Sequence, residues 1–211
     1  MNEDQIVILR VDSSMRHDGS VSRCLADQTI AKLHRDLPNA EVITRDLKCG
    51  VGHVSSAWRE ASLESPGSRS SEDRAILAQS DALKGEVERA DIIVLAVPIY
   101  NFSIPAALKA WVDMVCRNNV DGATALSKLQ PAFRKHAIIL LTSNHTLAGA
   151  KDEFATDFLR HILAFLGCAE INVVDATGLA EDRNVVLAAA HEKIQSICQN
   201  AVSHNISAAA E

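Results

Sequence analysis

The sequence predicts an α/β protein built on one doubly wound, five-stranded parallel sheet with helices on both faces. Five apolar runs of strand length, rich in valine and isoleucine, recur at residues 5–11, 40–47, 91–98, 136–143 and 170–177. Helical patterns separate the runs, and such alternation is typical of parallel sheets with right-handed crossovers. Three of the runs are apolar nearly throughout, as expected for strands that are buried on both faces.

The segments between the strands carry apolar residues three or four positions apart, which predicts helices. These helices are expected at residues 20–36, 71–89, 104–116, 152–166 and 183–202. Within 104–116 the stripe includes Trp111, which faces either the core or a subunit interface. Periodicity alone does not give the strand order. We expect 2-1-3-4-5, the common order for a five-stranded sheet of this kind.

A chain of 211 residues fits a single domain spanning 1–211. Residues 48–70 break the strand–helix rhythm, because they show no clean period and are rich in serine and glycine. A long loop is predicted there, and it is either functional or a flexible excursion. Residues 204–211 are predicted to form a frayed tail.

Composition excludes several classes of protein. The net charge is −6 with no block of lysine and arginine, which disfavours a nucleic-acid partner. The five cysteines are scattered without a C-x-x-C spacing, which favours reduced thiols over a disulfide framework. No run approaches the roughly 20 apolar residues of a membrane helix, and the first residues do not form a signal peptide. A soluble, cytoplasmic protein without a membrane partner is therefore expected.

In an open parallel sheet, ligands bind beyond the carboxyl ends of the strands. The segment after the first strand, residues 12–23, places several serines around Gly19 and then starts a helix. Hydroxyl groups and the free N–H groups of a helix start together form a good phosphate site. The segment matches neither common glycine-rich nucleotide motif, and Ser20 by itself is equally consistent with a simple helix cap.

Two further loops reach the same edge of the sheet. PIYNFSIP (98–105) follows the third strand and contains the only tyrosine, and SNHTLAGAKD (143–152) follows the fourth. Their polar, nearly neutral groups suit a flat ring, so the three loops together indicate a mononucleotide-like ligand such as FMN. No G-x-S-x-G elbow is present, and the histidines lack metal-ligand spacing, so no metal site is predicted. Cys116 and Cys168 are interpreted as core residues.

The stretch PIYNFSIPAALKAWVDMVCR (98–117) resembles the P-M-Y-N-F…L-K…D…R signature of the FMN-dependent NADH:azoreductases. These flavodoxin-like enzymes are relatives of the NAD(P)H:quinone oxidoreductases. The serine spacing of residues 14–22, RDL (45–47) and FLGC-x-EI (165–171) extend the resemblance along most of the chain. It lapses at residues 118–131, which lack the family's aromatic stretch, and at SNHT (143–146), which replaces its S-R-G-G loop.

This resemblance implies a homodimeric, FMN-dependent oxidoreductase that takes NADH or NADPH as electron donor. It implies ping-pong hydride transfer to a quinone or azo compound. The residues that it assigns to FMN are Ser14, Ser20, Val21 and Ser22 at the phosphate, Pro98, Ile99, Tyr100, Asn101 and Phe102 beside the ring and ribityl chain, and Ser143, Asn144 and His145 on the pyrimidine side. Tyr100 and His145 are the catalytic candidates from their loop positions, as groups that protonate the reduced acceptor.

Two alternatives stay open at this point. The altered loops are also consistent with a flavodoxin-fold enzyme recruited for acid–base chemistry without flavin. They are equally compatible with a non-catalytic flavin binder. No arginine is identifiable as a reader of the NADPH 2′-phosphate, although Arg59 and Arg69 in the 48–70 segment are candidates.

Overall fold

A computed structural model describes residues 5–117 and 135–208, so the predicted departure at 118–131 lies outside the described residues. Five strands form one sheet in these ranges: β1 (Val7–Asp12), β2 (Glu41–Asp46), β3 (Ile92–Pro98), β4 (Lys135–Thr142) and β5 (Cys168–Ala176). All neighbouring strands are parallel. The order is β2-β1-β3-β4-β5, which confirms the expected arrangement.

Six helices connect or flank these strands in the described parts of the chain. They are α1 (Val21–Asp36), α2 (Ser56–Leu63), α3 (Ser71–Arg89), α4 (Ala106–Val115), α5 (Thr156–Phe165) and α6 (Arg183–Ala208). Two details differ from the sequence prediction. The segment 48–70, predicted as a loop, contains the two-turn helix α2, and α6 runs into the segment that was predicted as a frayed tail. No helix of the described ranges is long and apolar enough to cross a bilayer.

The sheet separates two hydrophobic cores, because successive side chains of a strand point to opposite faces. One core lies under α1 and α6 and takes Ile92, Val94 and Ala96 from β3. The other lies under α2 to α5 and takes Ile93, Leu95 and Val97 from the same strand. All six of these β3 residues are buried, which explains why the strand reads as a continuous apolar run.

Residues that the pattern placed in the core behave as expected. Trp111 is 1% exposed within the single chain, so the core alternative for this residue is confirmed. Cys168 is buried and Cys116 packs partly buried against the same core. Trp58 is also buried, and it anchors α2 in that core, which explains why part of the irregular 48–70 segment is ordered.

The strand order places a crevice outside the carboxyl ends of β1 and β3. The chain leaves β1 toward β2 on one side and reaches β3 on the other, and ligands bind at such a switch point in open α/β sheets. The crevice floor is held by Ser13, whose backbone N–H and Oγ both donate to the Ala96 carbonyl at 3.1 and 2.8 Å. The loops after β1 and β3 are therefore tied together at their bases.

Candidate functional site

A cavity of about 180 Å³ lies at this crevice. It is enclosed by the loops after β1, β3 and β4 and by the start of α6. The residues that line it are Ser14, Arg16, Gly19, Ser20, Val21, Ser22, Pro98, Ile99, Tyr100, Thr142, Ser143, Asn144, Leu179 and Arg183. Nine of the predicted site residues are thus brought together, whereas Asn101, Phe102 and His145 do not line the cavity.

Larger depressions exist but fit the topology less well. One of about 570 Å³ lies beside the amino ends of β1 and β2, next to Ile6 and Ala40, at the edge opposite to the one where ligands of open α/β sheets bind. Another of about 510 Å³ is a groove between α1 and α6 that shares Ser20 and Arg183 with the crevice cavity. We therefore take the crevice cavity as the candidate site.

The first turn of α1 supplies unused hydrogen-bond donors to the cavity. Ser20 caps the helix, since its Oγ accepts the Arg23 N–H at 3.4 Å and lies 3.3 Å from Ser22 Oγ. The N–H groups of Val21 and Ser22 have no acceptor within the described chain. Two open N–H groups, two hydroxyls and the positive end of the helix dipole form a site for an anion. Ser20 is therefore both a helix cap and a cavity residue.

The loop that leads into α1 adds a third hydroxyl. Ser14 is 3% exposed, and its Oγ is 3.2 Å from both the backbone nitrogen and the carbonyl oxygen of Arg16. Gly19 has φ of +67°, a left-handed conformation that suits glycine and turns the chain into the helix. The three serines predicted at the phosphate thus all line the same cavity.

The charge of the cavity wall is opposite to that of the chain as a whole. No aspartate or glutamate is among the lining residues, whereas two arginines are, in a chain of net charge −6. The guanidinium groups of Arg16 and Arg183 have no acidic partner in the described ranges and are both exposed at the cavity edge. Such a wall favours an anionic ligand over a neutral one.

Arg183 was missed by sequence reasoning, although a signal was present. It follows β5 by a few residues, so the rule that ligands meet the carboxyl ends of strands also applies to it. Asp182 accepts the Val185 N–H at 3.1 Å and caps α6, which places Arg183 in the first helical turn. A cation there opposes the helix dipole. Residues that break a local stability rule are often functional.

The turn after β3 has an unusual backbone. Tyr100 and Ser103 exchange backbone hydrogen bonds at 2.9 and 3.1 Å. Between them Asn101 and Phe102 have φ of +48° and +70°. Left-handed conformations cost side-chain-bearing residues about 1–2 kcal/mol each, and strain of this kind is concentrated at functional sites. The turn is thus held in a tight, mirror-image hairpin conformation directly at the cavity mouth.

This turn links the cavity loops to each other. The Tyr100 hydroxyl accepts the Met15 N–H at 3.3 Å, which connects it to the loop after β1. The Phe102 carbonyl accepts the Phe154 N–H at 2.8 Å, which connects it to the start of α5. The Phe102 side chain is 51% exposed and lies outside the cavity wall. Tyr100 therefore reaches the cavity while its neighbour Phe102 faces outward.

The loop after β4 is fixed by the segment after β5. The carbonyls of Ser143 and Asn144 accept the N–H groups of Leu179 and Ala180, both at 3.1 Å. Ser143 Oγ also donates to the Thr146 carbonyl and closes a tight turn. His145, in the middle of this turn, is exposed and is not among the residues that line the cavity. The loop thus contributes Ser143 and Asn144 to the cavity wall, whereas His145 is exposed to solvent outside it.

Asp46, the last residue of β2, is not among the residues that line the cavity. Its Oδ1 accepts the Lys48 N–H at 2.9 Å and caps the 3-10 turn Leu47–Cys49. Both carboxylate oxygens also accept hydrogen bonds from Arg23. The hydrogen bonds from Arg23, followed by that from Lys48, hold the pKa of Asp46 below its usual value. Asp46 is therefore an ionised structural partner of Arg23.

The cysteines and the remaining arginine candidates contribute little to this site. Burial raises the pKa of Cys116 and of Cys168 to about 12, so both thiols stay protonated and neither is a nucleophile at neutral pH. Arg69 is buried and donates to the Glu64 carbonyl at 3.2 Å, and neither it nor Arg59 lines the cavity. Within residues 5–117 and 135–208, no three His, Cys, Asp or Glu side chains are grouped to hold a metal.

Comparison with known proteins identifies the class that this fold and cavity define. A family model described as flavodoxin-like fold matches residues 7–198. The chain is 38% identical over 196 residues to an FMN-dependent NADH:quinone oxidoreductase 1 of Colwellia psychrerythraea, covering 90% of this chain and 99% of that one. It is also 38% identical to an FMN-dependent NADH:quinone oxidoreductase of Thiobacillus denitrificans, covering 93% and 91% of the two chains.

Solved structures support the same fold. An azoreductase from Bacillus anthracis superposes with a TM-score of 0.77 at 17% identity, covering 94% of this chain and all of that one. The chain therefore belongs to the family of flavodoxin-like proteins that includes the FMN-dependent NADH:quinone oxidoreductases. This confirms the resemblance inferred from the motif at residues 98–117.

Proposed function

We propose that this protein is an FMN-dependent NADH:quinone oxidoreductase whose crevice cavity holds the flavin. The observation that carries the proposal is the anion cradle at the start of α1, with open N–H groups, three hydroxyls and a wall free of acidic side chains. A singly phosphorylated group matches this donor set. The relatives at 38% identity, which are named as FMN-dependent NADH:quinone oxidoreductases, support the same assignment.

Two different groups of cavity residues fit the two ends of FMN, the phosphate and the ring. Ser14, Ser20, Val21 and Ser22 would hold the phosphate through hydroxyl and backbone donors. Pro98, Ile99 and Tyr100 would border the ring and the ribityl chain, with Ser143 and Asn144 at the pyrimidine side. Asn101 and Phe102 would contribute through the shape of their strained turn, because their side chains lie outside the cavity wall.

Bound FMN would supply two-electron redox chemistry between a nicotinamide donor and a quinone, and the chain's part is to orient, shield and protonate. Tyr100 is better placed than His145 for the last role, since its ring lines the cavity and its hydroxyl is already fixed by the Met15 N–H. A hydroxyl within about 3 Å of the acceptor oxygen, or one water away, meets the geometric need. The exposed His145 is the second candidate.

A homodimer completes the site in this proposal. The cavity of about 180 Å³ is smaller than the roughly 300–1,000 Å³ that usually encloses a ligand of this size. Exposed apolar side chains lie in the segments after β1, β3 and β4 that form the cavity, namely Met15, Tyr100, Phe102, Leu147 and Phe154. We infer that a second copy of the chain covers this surface and the flavin ring. Light scattering coupled to gel filtration should give a dimer mass, and a purely monomeric protein would contradict this part.

The substrates follow from the same site. The relatives are named for NADH and quinones, and a quinone is a flat acceptor that can stack on a flavin ring. Azo compounds are a second class of acceptor, supported by the motif at residues 98–117. We also place the protein in the cytoplasm, where NADH is available and where its five free cysteines would remain reduced.

The test combines a spectrum with a turnover assay. The purified protein should be yellow, with flavin absorbance near 450 nm, and should oxidise NADH when a benzoquinone is present. A colourless protein that FMN cannot reconstitute would favour acid–base chemistry without flavin. A yellow protein that fails to oxidise NADH, whichever quinone or azo dye is supplied as acceptor, would instead be a non-catalytic flavin binder.

A further inference from the structure

We propose that Arg23 is a positioning residue that holds the phosphate loop, residues 14–16, in its binding conformation. The proposal rests on the proposed function, because it concerns the same FMN phosphate. Arg23 is 9% exposed and lies at the third position of α1, directly behind the cavity wall. It is one of the few buried cations of the described chain, and its role is not explained by packing alone.

Every donor of the Arg23 guanidinium is used. A guanidinium has five N–H donors in a fixed planar fork. Nε donates to the Arg16 carbonyl at 3.2 Å, and one terminal nitrogen donates to the Ser14 carbonyl at 2.8 Å and to Asp46 Oδ1 at 2.6 Å. The other terminal nitrogen donates to Asp12 Oδ2 at 3.2 Å and Asp46 Oδ2 at 3.0 Å. No donor remains for a ligand, so Arg23 does not bind the phosphate itself.

Two of these bonds fix the phosphate loop from behind. The Ser14 and Arg16 carbonyls accept hydrogen bonds from Arg23, so the Ser14–Met15 and Arg16–His17 peptide units are fixed. Because the C=O and N–H of a trans peptide point in opposite directions, the Met15 N–H then points away from Arg23, and it donates to the Tyr100 hydroxyl at 3.3 Å. The guanidinium therefore fixes the backbone of the phosphate loop relative to α1.

The other bonds neutralise carboxylates that would repel a phosphate. Asp12 and Asp46 end the neighbouring strands β1 and β2, and their Cα atoms are paired in the sheet register. Asp12 is 2% exposed and also binds Arg10, whose Nε lies 3.0 Å from Oδ2. Removing the Arg23 charge would leave these carboxylates undercompensated close to the anion cradle. Such buried, unbalanced charge is costly.

A lysine cannot take over this role. Its ammonium keeps the positive charge but offers three donors on a single point, which cannot reach five acceptors spread over two strands and a loop. Arg23→Lys therefore separates the positioning effect from the charge effect. Arg45→Lys is the matched control, because Arg45 forms a bidentate pair with Glu86 next to Asp46 and touches neither the loop nor the cavity.

The experiment compares FMN with riboflavin, which lacks the phosphate. Dissociation constants of both flavins are measured by fluorescence quenching on the deflavinated full-length protein. We expect Arg23→Lys to weaken FMN binding at least tenfold and to change riboflavin binding less than twofold. Arg45→Lys should leave both constants within twofold of the wild type. A general loss of structure would weaken both flavins alike, so the ratio of the two constants isolates the positioning role.

Two results would overturn the inference in distinguishable ways. If wild-type protein prefers FMN but Arg23→Lys keeps that preference, the positioning role is wrong and the proposed function stands. If the wild type itself does not prefer FMN to riboflavin, the phosphate site fails and the inference fails with it. Should Arg23→Lys not fold, Asp46→Glu keeps the negative charge but displaces the two acceptors that hold the fork, and the FMN preference should fall about threefold; an unchanged preference would again overturn the role.

Discussion

The two halves of the crevice cavity are held in opposite ways. On the side proposed for the phosphate, Ser14 and Ser22 are 3% and 1% exposed, and Arg23 holds the Ser14 carbonyl from behind. On the ring side, Tyr100 is 37% exposed, and it is held by a strained turn rather than by burial. We infer from this difference that the chain holds the phosphate of the proposed flavin rigidly and leaves the flavin ring accessible to its substrates.

This contrast has a simple physical origin. A phosphate is the same group in every catalytic cycle, so fully preorganised donors lose nothing by being rigid. A ring that must meet both a nicotinamide and an acceptor needs an accessible face. In our proposal the second copy of the chain limits that access, whereas the phosphate half is complete within one chain.

The largest expected effect comes from placing a negative charge in the phosphate half. Ser20→Asp and Ser20→Asn both retain a good helix cap and differ only in charge. Like charges about 4 Å apart near a protein surface repel by about 4 kcal/mol. We therefore expect Ser20→Asp to bind FMN at least about 100-fold more weakly than Ser20→Asn does. Flavin titration measures the ratio. Equal affinities would place the phosphate elsewhere.

A smaller effect is expected on the ring side, because its contacts are open. Tyr100→Ala should raise the FMN dissociation constant or the quinone KM about tenfold, since an aromatic contact of this kind is worth about 1–1.5 kcal/mol. Tyr100→Phe keeps the ring and removes only the hydroxyl, so its main effect should be on kcat. If both variants match the wild type, Tyr100 has no place in the site.

Arg183 should show effects of opposite sign on binding and on stability. Arg183→Ala removes an exposed charge from the cavity edge, and FMN should bind about threefold more weakly at low salt, with riboflavin unchanged. The same change removes a cation from a helix start, which should stabilise the fold by a few tenths of a kcal/mol. Arg183→Lys is the control that retains the charge. A loss of riboflavin affinity would argue against a phosphate-specific role.

The smallest expected effect concerns pH. The Arg23 hydrogen bonds lower the folded-state pKa of Asp46, so the stabilisation is present above about pH 4 and is lost as the pH falls through the lower, folded value. Because Asp46 is partly exposed, the effect should stay below about 1 kcal/mol. Urea unfolding from pH 3 to 6 should show a shallower pH dependence for Asp46→Asn; an unchanged slope would contradict the pairing.

The sequence was sufficient for the sheet because its three central strands, β1, β3 and β4, are buried on both faces and read as apolar runs. The serines near Gly19 were also predictable, since they directly follow a strand. Helix α2 was not, because eight residues are too few to display a clear period. The Arg23 network was equally hidden, since its contacts depend on the register that pairs Asp12 with Asp46. The left-handed φ of Phe102 could not be predicted from the sequence, because glycine is the residue that usually marks this conformation.

The mirror-image turn at Asn101 and Phe102 has a consequence for how the ring end is built. Its conformation is sustained by the paired backbone bonds of Tyr100 and Ser103 and by the link to Phe154, all of which exist in the free chain. The energetic cost of the two left-handed backbone conformations is therefore met during folding, before FMN or a second copy of the chain binds. Flavin-free and flavin-loaded forms should consequently superimpose closely at this corner, and association there should carry little entropic penalty from ordering the main chain.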